Sequence, residues 1–249
     1  MIRIAYEMHG DGAPLLLIQG LGYPRWGWEP VLAPLAESFR VIAFDNRGIG
    51  ESEIPPGPYT TRMLAEDAIV VLDRVGVERA HVCGASLGGM VAQEVAVGWP
   101  ERVDRLVLCC TTPGNGAYPM PEASVRLFAE APSLPPHIAL KRFVENALAS
   151  DGELADEIYR RRLKDPPDMR GWLAQSAAGT GFAGVDLDAI RAPILVLHGA
   201  NDNVIDVRNG SLLAERVADS RLEVFEDTGH MFWWEQPERF VEVVREFLS

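Results

Sequence analysis

Ser86 lies in the pentapeptide Gly84-Ala85-Ser86-Leu87-Gly88, where the character of the chain changes. Residues 80–83 are apolar and favour a strand, whereas residues 90–96 have the composition of a helix. A serine at a sharp strand-to-helix turn has a strained backbone, and its neighbours are small because larger side chains would collide there. The turn exposes the hydroxyl and places the next backbone N–H at the positive end of the helix. The pattern predicts that Ser86 is a nucleophile.

A serine hydroxyl is too weakly acidic to attack a carbonyl at neutral pH, so it needs a base, and histidine has a suitable pKa. His230 follows the last predicted strand and comes after Ser86 in the chain, as the Ser…Asp…His order of a parallel sheet requires. We therefore expect His230 to be the base. The other histidines lie beside a turn, within a strand, in a helical region and at a strand end, namely His9, His81, His137 and His198.

The orienting acid is expected directly after a strand. No carboxylate occurs in Thr111–Gly114, which follows one candidate strand, whereas Asp202 follows the strand at 193–198. Asp206 competes for the role, but its position fits the cap of a helix that begins near Val207. We expect Asp202 to hold the imidazole of His230 in the right tautomer.

An oxyanion needs two backbone donors, and the residue after the nucleophile supplies one, here the N–H of Leu87. The loop Gln19–Gly22 follows another strand, and its glycines allow the backbone to approach a ligand closely. Leu21 N–H is the predicted second donor. A simple tight turn is the alternative interpretation of this loop.

Short strand patterns alternate with helical patterns, which is typical of a mostly parallel sheet flanked by helices. Strands are predicted at residues 2–8, 14–19, 40–45, 80–85, 103–110, 193–198 and 221–225, with a helix at 60–75 and a helix from the serine turn to residue 99. Between 112 and 188 the pattern is helical throughout, at 122–131, 137–150, 153–163 and 169–178. We predict one α/β core from residues 1–111 and 189–249, with residues 112–188 as an all-helical cap; a separate helical domain is the alternative.

Composition narrows the classes of function. The 249 residues suit a single α/β domain, and the formal net charge of −13 disfavours nucleic acid as a partner. The three cysteines, Cys83, Cys109 and Cys110, have no disulfide-like spacing and are expected to be reduced core thiols. No cluster has metal-ligand spacing and no dinucleotide loop is present, so no cofactor or metal is predicted. No leader pattern or long apolar run is found, so the expected location is the cytoplasm, away from membranes.

The chain resembles the α/β-hydrolase superfamily over nearly its whole length. Residues 45–52 (DNRGIGES) match that superfamily's D-x-R-G-x-G-x-S turn, and Gly229-His230 followed by residues 235–238 (EQPE) matches the segment that carries its histidine. Residues 84–90 and 100–109 are most similar to 3-oxoadipate enol-lactonases and related small esterases. The usual H-G before the oxyanion loop is Gln19-Gly20 here, which leaves the backbone donor in place.

The resemblance implies a serine hydrolase that cleaves a small carboxylic ester or lactone through an acyl-enzyme. A cofactor-free haloperoxidase, which is a perhydrolase, would use the same residues, and a receptor-like relative with little turnover is a further alternative. A substrate pocket is expected from the cap together with bulky apolar side chains, namely Trp26, Trp28, Met90, Met120, Trp172, Phe182, Met231 and Phe232. One cap arginine is a candidate to bind a substrate carboxylate, out of Arg126, Arg142, Arg160, Arg161 and Arg162. The sequence does not set the oligomeric state.

Overall fold

Seven strands form one sheet in the computed structural model, which describes residues 2–150, 152–217 and 219–249. The spatial order is β1-β3-β2-β4-β5-β6-β7, and only the pairing of β1 with β3 is antiparallel. The predicted mostly parallel sheet is therefore confirmed. The strands are β1 (Tyr6–His9), β2 (Ala13–Ile18), β3 (Phe39–Phe44), β4 (Ala80–Ala85), β5 (Val103–Cys109), β6 (Ile194–Gly199) and β7 (Ser220–Phe225).

Helices connect the strands and cover both faces of the sheet, as crossover connections between parallel strands require. Within the described residues they are α1 (Glu29–Ala36), α2 (Thr61–Arg74), α3 (Leu87–Gly98), α4 (Glu122–Glu130), α5 (Pro136–Asn146), α6 (Glu153–Lys164), α7 (Met169–Thr180), α8 (Arg208–Arg216), α9 (Phe232–Glu235) and α10 (Pro237–Leu248). No helix in these ranges combines the length and the apolar character that a bilayer crossing demands. The cytoplasmic location stays a prediction.

The core consists of two apolar clusters, one on each face of the sheet. Alternate residues of β2 point to opposite faces, so Leu16 and Ile18 join one cluster while Leu15 and Leu17 join the other. Helices α2 and α3 supply much of the first cluster, and α9 and α10 supply much of the second. The central strands are thus buried on both sides, which explains why their sequences read as nearly continuous apolar runs.

In the N-terminal region one predicted boundary was wrong and one helix was not predicted. The first strand begins at Tyr6, not at residue 2, because the carbonyl groups of Arg3 and Ala5 accept hydrogen bonds from the loop after β3 instead of from a strand. Helix α1 has no counterpart in the predicted elements. Its two prolines disguise it: Pro30 lies in the first turn, where its missing N–H costs nothing, and Pro34 is tolerated inside the helix.

Helices α4 to α7 all lie between β5 and β6, as the sequence pattern predicts. The insertion is packed into both core clusters, with Ile158 in the second and Ala178 in the first. Helix α5 ends at Asn146 and does not extend to residue 150, because Ala147 turns away to accept a hydrogen bond from Met231 N at 3.0 Å. The limits of the cap at residues 112 and 188 stay a prediction.

Strand β4 joins α3 through Ser86 at a point where backbones are in direct contact. A Cβ atom at Gly88 would collide with the carbonyl oxygen of Ile18 at the end of β2, and one at Gly84 would collide with the carbonyl group of Gly88. The glycines on either side of Ser86 are thus required by packing against β2 and α3.

The substitution Gly88→Ala is expected to destabilise the fold by on the order of 2 kcal/mol, because the rigid backbone of β2 has to move. Gly179→Ala is the matched control, since Gly179 also lies in a helix and its new Cβ would be 3.6 Å from Leu87 Cδ1, an ordinary contact. Denaturant unfolding of both variants tests this. Equal stability of the two variants would contradict the packing argument.

Candidate active site

Ser86 has the backbone conformation that its sequence context predicts. Its φ and ψ are 56° and −118°, a region that residues other than glycine rarely adopt. The turn is held by a hydrogen bond from Ser86 N to Cys109 O at 2.9 Å and by one from Thr111 Oγ1 to Ser86 O at 2.8 Å. Ser86 is half-buried, whereas Ala85 and Leu87 on either side are buried. The serine is therefore lifted out of the sheet.

The structure brings Asp202 and His230 together. Asp202 follows β6 and His230 follows β7, which is the neighbouring strand, and His230 Nδ1 lies 2.7 Å from Asp202 Oδ2. The loops make this contact through backbone packing, since a Cβ atom at Gly199 would collide with the carbonyl group of Gly229. Both side chains are buried. Because a carboxylate only accepts, the proton of this bond is on Nδ1, and Nε2 is left as the basic nitrogen.

Asp202 is surrounded by donors. Its Oδ1 accepts hydrogen bonds from Val204 N at 2.7 Å and Ile205 N at 2.9 Å, and its Oδ2 faces His198 Nε2 at 3.0 Å as well as His230. Burial by itself raises the pKa of Asp202, but the charge of His230 and the hydrogen bonds of the two histidines outweigh it and hold the pKa well below its usual value. Asp202 is therefore an ionised carboxylate.

Asp206 has the capping position that the sequence predicts. Its carboxylate accepts a hydrogen bond from Arg208 N at 3.0 Å, at the start of α8. It also forms an ion pair with the Arg208 guanidinium at 2.5 Å. Asp202, and not Asp206, is thus the carboxylate in contact with His230.

Ser86 faces the loop after β2. A Cβ atom built on Gly20 would be 3.1 Å from Ser86 Cβ, a tight contact, so the loop approaches the serine closely at this glycine. Among the described residues Ser86 Oγ and His230 Nε2 share no hydrogen bond. In hydrolytic sites without substrate this bond is often long and forms only in the complex.

Between Gly20 and Gly22 the loop has one backbone N–H without a partner among the described residues. Gly20 N donates to Gln19 Oε1 at 2.7 Å, Gly22 N donates to Gln175 Oε1 at 3.0 Å, and Tyr23 N donates to Gly20 O at 3.3 Å. Leu21 N has no acceptor in the part of the chain that the structure describes. Leu87 is the first residue of α3, where the N–H also has no intrahelical acceptor. Their roles as oxyanion donors stay a prediction.

Three side chains hold this loop in place, a role that the sequence analysis assigned to none of them. Asn46 Nδ2 donates to Gln19 O at 2.9 Å from the turn after β3. Gln175, fully buried on α7, accepts from Gly22 N and donates to Arg47 O at 2.8 Å, and Arg162 on α6 donates to Gly22 O. Two of the three residues come from the helical insertion, so the insertion is part of the site's support.

The D-x-R-G-x-G-x-S turn is a structural support, and the hydrogen bonds of its carboxylate, Asp45, are made with residues other than Ser86. Buried Asp45 accepts hydrogen bonds from Arg25 N at 2.7 Å and Glu51 N at 2.9 Å. Burial raises the pKa of Asp45, and these hydrogen bonds act in the opposite direction. Arg47 forms a two-pronged ion pair with Asp67 on α2. The turn thereby positions Asn46 against the loop after β2.

The predicted pocket side chains differ in how deeply they are buried. Trp28 and Phe232 were wrongly expected to line the pocket, because both are fully buried in the second core cluster and have no surface left for a substrate. Trp172 lies at Gly22, where a Cβ atom would be 2.6 Å from its Cδ1. The remaining residues stay predictions: Trp26 and Phe182 are half-buried, Met90 and Met231 are buried within the core clusters, and Met120 is 44% exposed.

Of the five cap arginines, only Arg162 is buried. It has no carboxylate partner within the described residues. Its guanidinium lies 4.3 Å from the centre of the Tyr23 ring, and its Nε has no hydrogen-bond acceptor. Burial lowers the pKa of Arg162, opposed by Tyr23 and Asp165. By contrast, Arg126, Arg142 and Arg161 form ion pairs with Glu122, Glu130 and Glu29, and Arg160 is exposed.

One group of potential metal ligands does form, although the spacing along the chain does not reveal it. Cys110 Sγ, an Asp202 oxygen and a His230 nitrogen lie within 4.8 Å of one another. Burial, with a further contribution from the charge of Asp202, raises the pKa of the Cys110 thiol well above its usual value. A protonated thiol is a poor metal ligand, and Asp202 is already hydrogen bonded to His230. The donor set therefore fits a metal poorly.

Glu235 on α9 connects the histidine loop to the insertion. Its Oε2 accepts from Gly229 N at 2.7 Å and its Oε1 accepts from Ala149 N at 2.8 Å. Burial raises the pKa of Glu235, the two amide bonds lower it, and the charge of Asp202 adds to the rise. One carboxylate thus fixes the residue before His230 against the segment that follows α5.

Glu235→Ala is expected to lower the free energy of unfolding by on the order of 2 kcal/mol, because two backbone N–H groups lose their acceptor. Glu238→Ala, at an exposed position three residues along, is the control and is expected to change it little. Urea unfolding monitored by fluorescence measures both. A loss for Glu235→Ala no greater than for the control would show that the two amides find other partners.

The alpha/beta hydrolase fold family matches residues 13–237. The 3-oxoadipate enol-lactonase 2 of Acinetobacter baylyi is 28% identical over 243 residues, covering 96% of this chain and 90% of the relative. A putative non-heme bromoperoxidase of Mycobacterium tuberculosis is 30% identical, covering 96% and 94%. The solved structure of a meta-cleavage product hydrolase from Pseudomonas fluorescens has a TM-score of 0.87 at 26% identity, covering 99% and 94%. The chain belongs to the alpha/beta hydrolase fold family.

Proposed function

We propose that this protein is a serine hydrolase that cleaves small carboxylic esters or lactones. The observation that carries the proposal is the 2.7 Å hydrogen bond between His230 Nδ1 and Asp202 Oδ2, formed at the ends of adjacent strands of the sheet in which β4 leads into the strained turn of Ser86. That bond holds the imidazole with Nε2 available as a base. Similarity to an enol-lactonase supports the same reaction class.

In the proposed reaction, Ser86 Oγ attacks the carbonyl carbon while His230 Nε2 takes the hydroxyl proton. The backbone N–H groups of Leu21 and Leu87 stabilise the oxyanion. When the tetrahedral intermediate collapses, His230 returns the proton to the leaving alcohol, and Ser86 is left as an acyl ester. A water molecule, deprotonated by His230, then attacks that ester, and the acid is released with Ser86 regenerated. The protein needs no cofactor for these steps.

Ser86→Ala is expected to lower the turnover of p-nitrophenyl butyrate by on the order of 10⁴-fold or more, because the acyl-enzyme cannot form. Ser133→Ala, at an exposed position of the insertion, is the matched control and is expected to keep full activity. Initial rates at saturating ester measure the effect, with circular dichroism to confirm the fold. Multiple turnovers in the wild type separate an enzyme from a receptor-like protein, and turnover retained by Ser86→Ala would refute the proposal.

We further propose that the substrate carries an anionic group, and Arg162 is the residue that supports this. Arg162 donates to Gly22 O in the loop that lies against Ser86, is 5% exposed and has no carboxylate partner among the described residues. A buried guanidinium whose nearest counter-charge, Asp165, acts from beyond ion-pair distance is unfavourable, and a substrate carboxylate would compensate its charge with a strong hydrogen bond.

Arg162→Met is expected to lower kcat/KM for the p-nitrophenyl monoester of succinate by about tenfold more than for p-nitrophenyl butyrate, the value of one charge-assisted hydrogen bond. The neutral ester corrects for any disturbance of the Gly22 loop, since that affects both substrates. Arg160→Met, on the exposed face of the same helix, is the control. Equal losses for the two esters would exclude an anion-binding role.

A perhydrolase is the second candidate, favoured by the 30% identity to the putative bromoperoxidase. In that reaction hydrogen peroxide replaces water as the nucleophile on the acyl-enzyme, and a peracid is the product. Bromination of a dye in the presence of acetate, peroxide and bromide distinguishes the two: a rate that depends on Ser86 and exceeds ester hydrolysis would favour the perhydrolase.

A further inference from the structure

His198 is a second histidine on the carboxylate of Asp202. It is fully buried on β6, and its Nε2 lies 3.0 Å from Asp202 Oδ2 and 3.0 Å from the carbonyl oxygen of Ile205. Both neighbours are acceptors, so Nε2 carries a hydrogen in this position. The same oxygen of Asp202 therefore faces two imidazole N–H groups: it is hydrogen bonded to that of His230, and it lies beside that of His198, which is shared with the carbonyl oxygen of Ile205.

The other ring nitrogen of His198 adds no hydrogen bond to the fold. Nδ1 is buried and has no hydrogen-bond partner among the described residues. It faces Gly210 on α8, where even a Cβ atom would be 3.0 Å away. A buried nitrogen without a partner destabilises the fold, whereas an apolar side chain would fill a strand position without this cost.

We infer that His198 is a positioning residue for the reaction. His198 shares Asp202 Oδ2 with His230 and so limits how strongly Asp202 holds the imidazole of His230. This inference rests on the roles proposed above for Asp202 and His230. A carboxylate oxygen with two donors interacts less strongly with each of them than an oxygen with one donor. His198 also fixes the orientation of the carboxylate, because Oδ1 is bound to Val204 N and Ile205 N while His198 holds Oδ2.

Other ionisable groups lie close to Asp202, His198 and His230 and are unchanged in the variants described below. Cys110 approaches from the end of β5 and Glu235 from α9, and burial, with a smaller contribution from the charge of Asp202, raises the pKa of both. On the loop before α8, Asp206 is paired with Arg208, and its pKa is lowered mainly by that pairing and only slightly by His198. His198 is the one imidazole apart from His230 that contacts Asp202 within the described residues.

The test compares His198→Leu, which removes the donor, with His198→Gln, whose amide can still reach Asp202. For His198→Leu, the acid limb of the kcat/KM profile is expected to move to higher pH by about 0.5–1 unit, because Asp202 then stabilises the protonated form of His230 more strongly. His198→Gln is expected to restore most of the wild-type profile. His81→Leu, which removes another buried strand histidine beside a carboxylate, is the control.

A purely structural role would lower kcat or the active fraction without moving the acid limb, and that result would overturn the inference. A second measurement does not depend on ester hydrolysis: the downfield proton resonance of His230 Nδ1 is expected to move further downfield in His198→Leu and to stay in place in His81→Leu. If no ester is turned over, the proposed function fails while this resonance still tests the shared carboxylate. An unmoved resonance would refute the sharing itself.

Discussion

Asp202 is a buried negative charge, and the arrangement of the surrounding loops follows from the need to stabilise it. An ionised carboxylate inside a protein is tolerated only when donors replace the water it has lost. Two of its donors are backbone amides of its own loop, one is a strand histidine, and one is the histidine that follows the neighbouring strand. Gly199 and Gly229 approach each other closely, with no side chain between them. This close approach allows the fourth donor, His230, to reach Asp202.

The helical insertion supports two segments of the candidate site, the loop after β2 and the segment around His230. Gln175 and Arg162 hold the loop after β2, while Ala147 and Ala149 bind the segment around His230 through Met231 N and Glu235. Both loops that flank Ser86 therefore depend on residues from the insertion. The strained turn at Ser86, by contrast, is supported by the sheet itself, through Cys109 and Thr111.

The sheet, the helical insertion and the pairing of Asp202 with His230 could be predicted because each has a local signal in the sequence. Strands are marked by apolar runs, and chemistry at the ends of parallel strands converges on one edge of the sheet. His198, Gln175 and Glu235 could not be found in this way, since a polar residue gives no sign of what it will contact until distant segments pack. Trp28 and Phe232 were misassigned for the same reason, because an aromatic side chain suits a pocket and a core equally well.

The first strand and helix α1 show where local signals mislead. Residues 2–5 have the alternation of a strand, yet their carbonyl groups accept hydrogen bonds from the loop after β3 and from Arg74 on α2. The two prolines of α1 hide a helix, although neither of them prevents it from forming. In both cases tertiary packing decided the structure against the local preference.

Gln175 has a consequence for how such proteins can be diversified. Its amide joins three segments, since it accepts from the loop after β2, donates to the turn after β3, and belongs to the insertion. The insertion is therefore not an interchangeable module: a chimera that carries a foreign insertion would lose this amide and, with it, the shape of the loop beside Ser86. Changes in substrate preference and changes in reaction rate are therefore coupled through this contact. A successful exchange of the insertion would need compensating substitutions in the loop after β2, which Gln175 supports.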